Sequence, residues 1–245
     1  MNNIIRYKSV TSTNDIAKKL ARSGYPELSI IVAQSQSQGR GRRGKDWHSP
    51  AGKGLYCSII LQPDFSLDHI WFFSLLSGLI VCEAVASLTD LSPGLKWPND
   101  VMVERRKLAG VLIESTVNRQ RITNIIIGIG INFDFSQIEM AKLDNSATCL
   151  SLLTDRVIDA DQLLQEIITS LQKYYFNSKL LIEPQRLVEL WNEKCVHLGM
   201  NVVLYSAAEK YFGKFIAVDN QARAIVEIDH KIKKFTSGDL SLREI

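Results

Sequence analysis

The sequence is poor in the features that would assign a chain to a class by inspection. Its four cysteines, Cys57, Cys82, Cys149 and Cys195, lie far apart. None forms a CxxC pair, which argues against a zinc knuckle or a dithiol redox motif. Buried free thiols in a reducing compartment are the simplest account. The N-terminus, MNNIIRYKSV, has no signal-peptide core. The longest apolar run, Ile70 to Cys82, is broken by Ser74, Ser77 and Gly78. It is shorter than the roughly 20 residues a membrane span needs. Net charge is only +3, too weak by itself to argue for a nucleic-acid partner. Internal repeats, low-complexity linkers and a helix-turn-helix pattern are also missing. A soluble, cytoplasmic protein is expected, with no membrane attachment and no specific DNA binding.

What remains is an ordinary globular composition, 46% hydrophobic and 22% charged in 245 residues. That suits one large domain, or a core domain with a small appendage. Ile4 to Lys8 reads as a short strand. Ser12, Thr13 or Asn14 can cap the helix that follows, whose apolar face is Ile16, Ala17 and Leu20. The same three residues can instead offer hydroxyls and an amide to a polar ligand. Ile30 to Ala33 and Leu55 to Leu61 flank a loop in which Gly39, Gly41 and Gly44 alternate with Arg40, Arg42, Arg43 and Lys45. Glycines allow close backbone approach, and arginine forks match phosphate or carboxylate oxygens. On this stretch alone, a solvated basic hairpin fits equally well.

Leu67 to Thr89 has the pattern of a buried helix. In GLKWPNDVMVE, Pro98 breaks any helix, so a strand ends near Trp97, a Pro-Asn-Asp turn follows, and a second strand starts at Val101. Lys107 to Ser115 and Ile122 to Ile131 read as two more strands. Gly128 and Gly130 share one face of the latter, making room for a ligand or for tight helix packing. The signal weakens after Phe133, and Ser146 to Leu150 reads as loop. Asp159 to Phe176 and Glu183 to Lys194 read as helices. Five short runs then follow, at 201–205, 211–218, 224–228, 232–235 and 241–245, separated by turn residues such as Asp219-Asn220 and Ser237-Gly238. They predict a small β-barrel.

Taken in order, Ser12-Thr13-Asn14, GRGRRG followed by Trp47, KWPND at 96–100, RKLAG at 106–110 and GIGIN at 128–132 resemble the biotin protein ligases. These enzymes join biotin to a lysine of biotin-dependent carboxylase subunits. The resemblance covers nearly the whole chain and implies an α+β fold. It would comprise a catalytic domain over residues 1–195, with a mixed sheet flanked by helices as in class II aminoacyl-tRNA synthetases, and an SH3-like β-barrel over 196–245. It implies biotin contacts at Ser12, Thr13, Asn14, Gln36, Arg40, Gly41, Arg42, Lys107, Gly110, Gly128 and Gly130. Nucleotide contacts are implied at Arg40, Arg42, Trp47, Lys107 and Asn132, with Lys107 and Arg42 taking part in the chemistry. Asn99 and Asp100 are polar neighbours that a tight turn explains nearly as well. The implied substrates are biotin and ATP, with Mg²⁺ held mainly by phosphates, and the implied acceptor is a biotin carboxyl carrier protein. The segment before Ser12 is too short for a helix-turn-helix, so the monofunctional type is expected; a homodimer stays open. Lipoate protein ligases share the expected fold and two-step chemistry, and a biotin-responsive binding protein without catalysis is the further alternative.

Overall fold

The computed structural model describes residues 3–143, 146–176, 179–205, 209–236 and 241–244. The chain begins with β1 (Ile4–Val10), α1 (Thr13–Arg22), β2 (Ile30–Gln36), β3 (Gly54–Leu61) and a two-residue β4 (Phe65–Ser66). Next come α2 (Ile70–Leu88), β5 (Gly94–Lys96), β6 (Asp100–Val103), β7 (Arg106–Asn118) and β8 (Arg121–Asn132). Helices α3 (Gln137–Leu143), α4 (Ala160–Leu171) and α5 (Pro184–Glu193) follow. Strands β9 (Asn201–Tyr205), β10 (Lys210–Val218), β11 (Ala224–Ile228), β12 (Lys231–Phe235) and β13 (Ser241–Glu244) end the chain.

The larger sheet runs β1-β2-β3-β8-β7-β6-β5, with β4 beside β8. Strands β1 and β2 are parallel and joined through α1, while the other pairs are antiparallel. Side-chain alternation divides β3 between two layers. Ile60 points towards α1, where Ala17, Ala21, Ile31 and Ile126 make a small core. Leu55, Cys57, Ile59 and Leu61 point the other way, into the main core with α2, α4 and α5. Helix α2 and the turn before it, Leu67–Leu88, are long and apolar enough to cross a membrane, yet 67% of that window is buried inside the fold. Its apolar surface is therefore used by the core, and the apolar helix is longer than the Ile70–Cys82 run. The second sheet, β12-β11-β10-β9-β13, is antiparallel throughout, and it forms the SH3-like part of this α+β fold.

Several sequence expectations need correction. The helix expected from Leu67 opens with a 3₁₀ turn over Leu67–His69, and the one expected to reach Phe176 passes into a π turn at Gln172–Phe176. Short elements β4 and α3 lacked any pattern to announce them. The 146–150 stretch, read as loop, pairs through Ala147 with Lys107 and ends in a 3₁₀ turn at Leu150–Leu152. The expected Ser237-Gly238 turn and the terminal Ile245 lie outside the described residues.

Candidate active site

A cavity of about 800 Å³ opens on the α1 face of the larger sheet. Ser12, Thr13, Asn14, Gln36, Arg40, Gly41, Arg42, Trp47, Lys107, Gly110, Gly128, Gly130 and Asn132 all line it. Residues up to 120 positions apart are thus brought onto one surface by the pairing of β3, β8 and β7.

One end is uncharged and fixed. Ser12 holds the N-cap position of α1, but its side chain makes no capping bond. Gln36 Oε1 accepts from Thr13 N (2.9 Å) and Thr13 Oγ1 (3.1 Å), and Gln36 Nε2 donates to Ser49 Oγ (2.9 Å). The buried Ser58 hydroxyl lies 2.7 Å from Thr13 Oγ1 and 2.6 Å from Asn14 Oδ1, so its one proton serves either acceptor. Asn14 Nδ2 donates to Glu114 Oε2 at 2.7 Å. Thr13 and Asn14 are themselves buried, at 3% and 4% exposure. Buried polar groups of this kind need such partners, and having them fixes the direction of each remaining donor and acceptor.

The other end is cationic. Lys107 Nζ sits 2.6 Å from Asp100 Oδ1 and 5.2 Å from the centre of the Trp47 ring. An ammonium has three N–H donors, so Asp100 leaves capacity for a ligand. Arg42 Nη1 is 3.5 Å from Asn99 Oδ1. Burial pushes the Arg42 guanidinium below its ordinary pKa, neighbouring Arg43 adds to that, and Asp100 opposes it. A desolvated cation at the limit of hydrogen-bond range from a neutral amide is electrostatically ready for an anion.

The loop between β2 and β3 crosses the mouth as a strap. Trp47 N donates to Gly39 O (2.8 Å), Gly41 N donates to Lys45 O (2.7 Å), and Arg40 bridges Asp46, closing a short hairpin. Arg43 stands at its tip with φ +59° and reaches to 3.5 Å from the Tyr205 carbonyl in β9.

The face cleared by Gly128 and Gly130 is filled by protein. A Cβ at 128 would run into the Asn14 amide, and one at 130 into the Trp47 indole. Trp47 thus lies across the cross-strand pair Gly110 and Gly130, between the two ends of the cavity. Asn132 is buried and donates to Thr148 O at 2.9 Å. It thereby secures the 146–148 segment, whose backbone brackets Lys107 (Lys107 N to Ser146 O, 2.6 Å; Thr148 N to Lys107 O, 2.9 Å).

Sequence reasoning undervalued Asp100 and missed Ser58, Glu114 and Asp15. A serine inside the apolar run LYCSIIL was the only hint of Ser58. Among the described residues, no three His, Cys, Asp or Glu side chains converge on a metal position. Asp46 and Asp100 line the cavity, and Asp100 is already paired with Lys107. This donor set fits a divalent cation carried in by phosphates.

A fixed neutral end, a cationic end and a glycine-rich strap define a site for a ligand with an uncharged polar head and an anionic reacting end. Residues 7–132 match the biotin/lipoate A/B protein ligase family, to which the chain belongs. The chain is 31% identical over 235 residues to the bifunctional ligase/repressor BirA of Bacillus spizizenii, covering 95% of this chain and 72% of that protein. It is 26% identical over 235 residues to the biotin–[acetyl-CoA-carboxylase] ligase of Mycobacterium tuberculosis, covering 94% and 85%. Its structure resembles that of the biotin protein ligase from Aquifex aeolicus in complex with biotin and ATP, with a TM-score of 0.79, 30% identity and complete coverage of both chains.

Proposed function

We propose that this chain is an ATP-dependent ligase that activates biotin as biotinyl-5′-AMP and transfers it to a lysine of a biotin carboxyl carrier protein. One observation carries the reading: a rigid, neutral hydrogen-bonding end and a cationic end share one cavity, separated by an indole. Thr13, Asn14 and Gln36 recognise the ureido ring, with Ser12 beside them. Gly128 and Gly130 let the Asn14 amide and the Trp47 indole sit close against the sheet, and Gly110 leaves room for the same indole and for Lys107. Arg42 and Lys107 meet the biotin carboxylate and the α-phosphate, and Trp47 and Asn132 shape the nucleotide side.

Carboxylate and triphosphate repel each other, so they react only where fixed cations offset that repulsion. The carboxylate oxygen attacks the α-phosphorus, the bond to the β-phosphate oxygen breaks, and pyrophosphate leaves. Lys107 and Arg42 stabilise charge on the α-phosphoryl oxygens as it builds, while Asp100 keeps the Lys107 ammonium aimed. Mg²⁺ carried in by the phosphates would supply further charge neutralisation there. The acceptor amine then attacks the mixed anhydride and AMP leaves, while the strap restricts water that would hydrolyse it. We assign the accessory barrel, built on strands β9 to β13, to a second domain that starts at 196. Four buried free thiols suit a reducing cytoplasm.

Mass spectrometry after mixing the protein with biotin and MgATP tests the reading. A retained biotinyl-5′-AMP species is expected; a lipoyl-adenylate formed in preference from lipoate would move the chain to the other branch of its family. Label transfer from biotin to an isolated carrier domain then tests the second step.

A further inference from the structure

The three arginines of the strap are not held alike. Arg42 and Arg43 each stand 3.5 Å from a neutral oxygen, the outer limit of a hydrogen bond. Arg40 instead forms a two-pronged pair with Asp15, Nη1 to Oδ2 at 2.8 Å and Nη2 to Oδ1 at 2.5 Å. Both side chains are only 32% exposed, and parallel double contacts are the strong, directional form of an ion pair. The hydrogen bond from Arg40 holds the Asp15 carboxyl below its ordinary range.

Asp15 follows Asn14 in the first turn of α1. Lys18 lies 3.8 Å from Asp15 and also pairs with Glu114, whose second oxygen accepts from Asn14. On the other side, Arg40 opens the strap hairpin that carries Arg42 and ends at Trp47. One continuous polar chain therefore runs from the Asn14 amide to the strap. A phosphate would have to strip Arg40 from a carboxylate gripped at both oxygens, whereas Arg42 gives up only a long contact to an amide.

We infer that Asp15 is a positioning residue that anchors the strap, and that Arg40 is committed to it and does not ligate phosphate. The Arg40–Asp15 pair holds the strap stem on the turn that carries Asn14, so the strap is partly ordered before biotin arrives. This rests on the biotin and ATP reading above. Preorganisation of this kind lowers the cost of binding, so its loss appears in the affinity for biotin and not in the chemical step.

The test is a double-mutant cycle of Asp15→Asn and Arg40→Gln, read by biotin-dependent pyrophosphate–ATP exchange, with thermal melting and hydrogen exchange over residues 39–47. Each single variant should raise KM for biotin about tenfold, the scale of one charge-assisted hydrogen bond. The double variant should be no worse than either single one. The maximal rate and KM for MgATP should stay within about threefold of wild type. Exchange over the strap should quicken in Asp15→Asn without any ligand. Additive effects would overturn the anchor. So would an Arg40→Gln defect in MgATP KM or maximal rate that Asp15→Asn does not share, because Arg40 would then be a phosphate ligand. If wild-type protein makes no adenylate from biotin, the functional reading fails, and the anchor is still judged by exchange: unchanged strap protection in Asp15→Asn sinks it.

Discussion

At the Thr13–Asn14–Gln36 end of the cavity, each side-chain amide is held at both its oxygen and its nitrogen by the protein. At the Arg42–Lys107 end, one cation makes a long contact to a neutral oxygen and the other sits between a carboxylate and an indole. The proposed reaction would account for the difference. A neutral head does not change during adenylation, so its donors and acceptors can be fixed permanently by a second layer of residues. The anionic end gains, shifts and loses charge through the reaction, so its cations need partners they can share or leave.

The largest effect should come from removing a cation. Lys107→Ala should slow single-turnover adenylate formation by about 10²–10³, the usual scale for one preorganised donor. Lys107→Arg should rescue poorly, because a planar fork does not replace a point charge. A rate within about threefold of wild type in the alanine variant, far short of that expected loss, would remove Lys107 from the chemistry. Next comes the residue beneath the divider. In Gly130→Ala the new Cβ collides with Trp47, and overpacking costs about 1–3 kcal/mol. Affinities for biotin and MgATP should fall together, measured by calorimetry; loss of only one would mean that the indole does not separate two ends.

Ser58→Ala should act on the neutral end alone. It removes a buried partner of Asn14, costing about 1 kcal/mol or somewhat more, which should appear as a rise in KM for biotin with MgATP unaffected. An equal rise in both would erase the contrast between the ends. The smallest effect concerns Cys57, beneath the same end, where burial pushes the thiol pKa up to about 12. The thiolate is the reactive form, so iodoacetamide at pH 8 should not modify Cys57 in the folded protein. Ready modification with full activity would show that this layer is open to solvent.

Much of this was legible in the sequence because the motifs are local. GRGRRG, KWPND and GIGIN each hold their residues within a turn or two of chain, and β-branched density announces β8. The partners were not legible, because they meet only through sheet register. Asn14 and Glu114 lie 100 residues apart, and nothing near Glu114 in KLAGVLIES marks it as an inward-facing group. Asp100 read as a polar neighbour that a tight turn explained nearly as well; its place opposite Gly110 puts it beside Lys107. Strand β7 runs on to Asn118 because Arg119 and Gln120 take φ of +45° and +67° in the hairpin turn, in a stretch without the glycine that usually signals one. The glycines of β8 were read as space; whether a ligand or a side chain fills that space is decided by Asn14 and Trp47, which come from elsewhere in the chain.

The Trp97 indole of KWPND donates to the Ala222 carbonyl at 3.2 Å, well inside the fold. Asn192 of α5 also acts like an added length of backbone for β10, donating to Val218 O at 2.9 Å and accepting from Val218 N at 2.8 Å. Breaking the two sheets apart would strand these donors and acceptors without partners. Their unfolding is therefore coupled, and the barrel and the motif that carries Asp100 should open as one cooperative unit. A calorimetric scan would show that as a single transition. A change at the β10–β11 turn would then be felt as a change in how often Lys107 has the Asp100 carboxylate beside it.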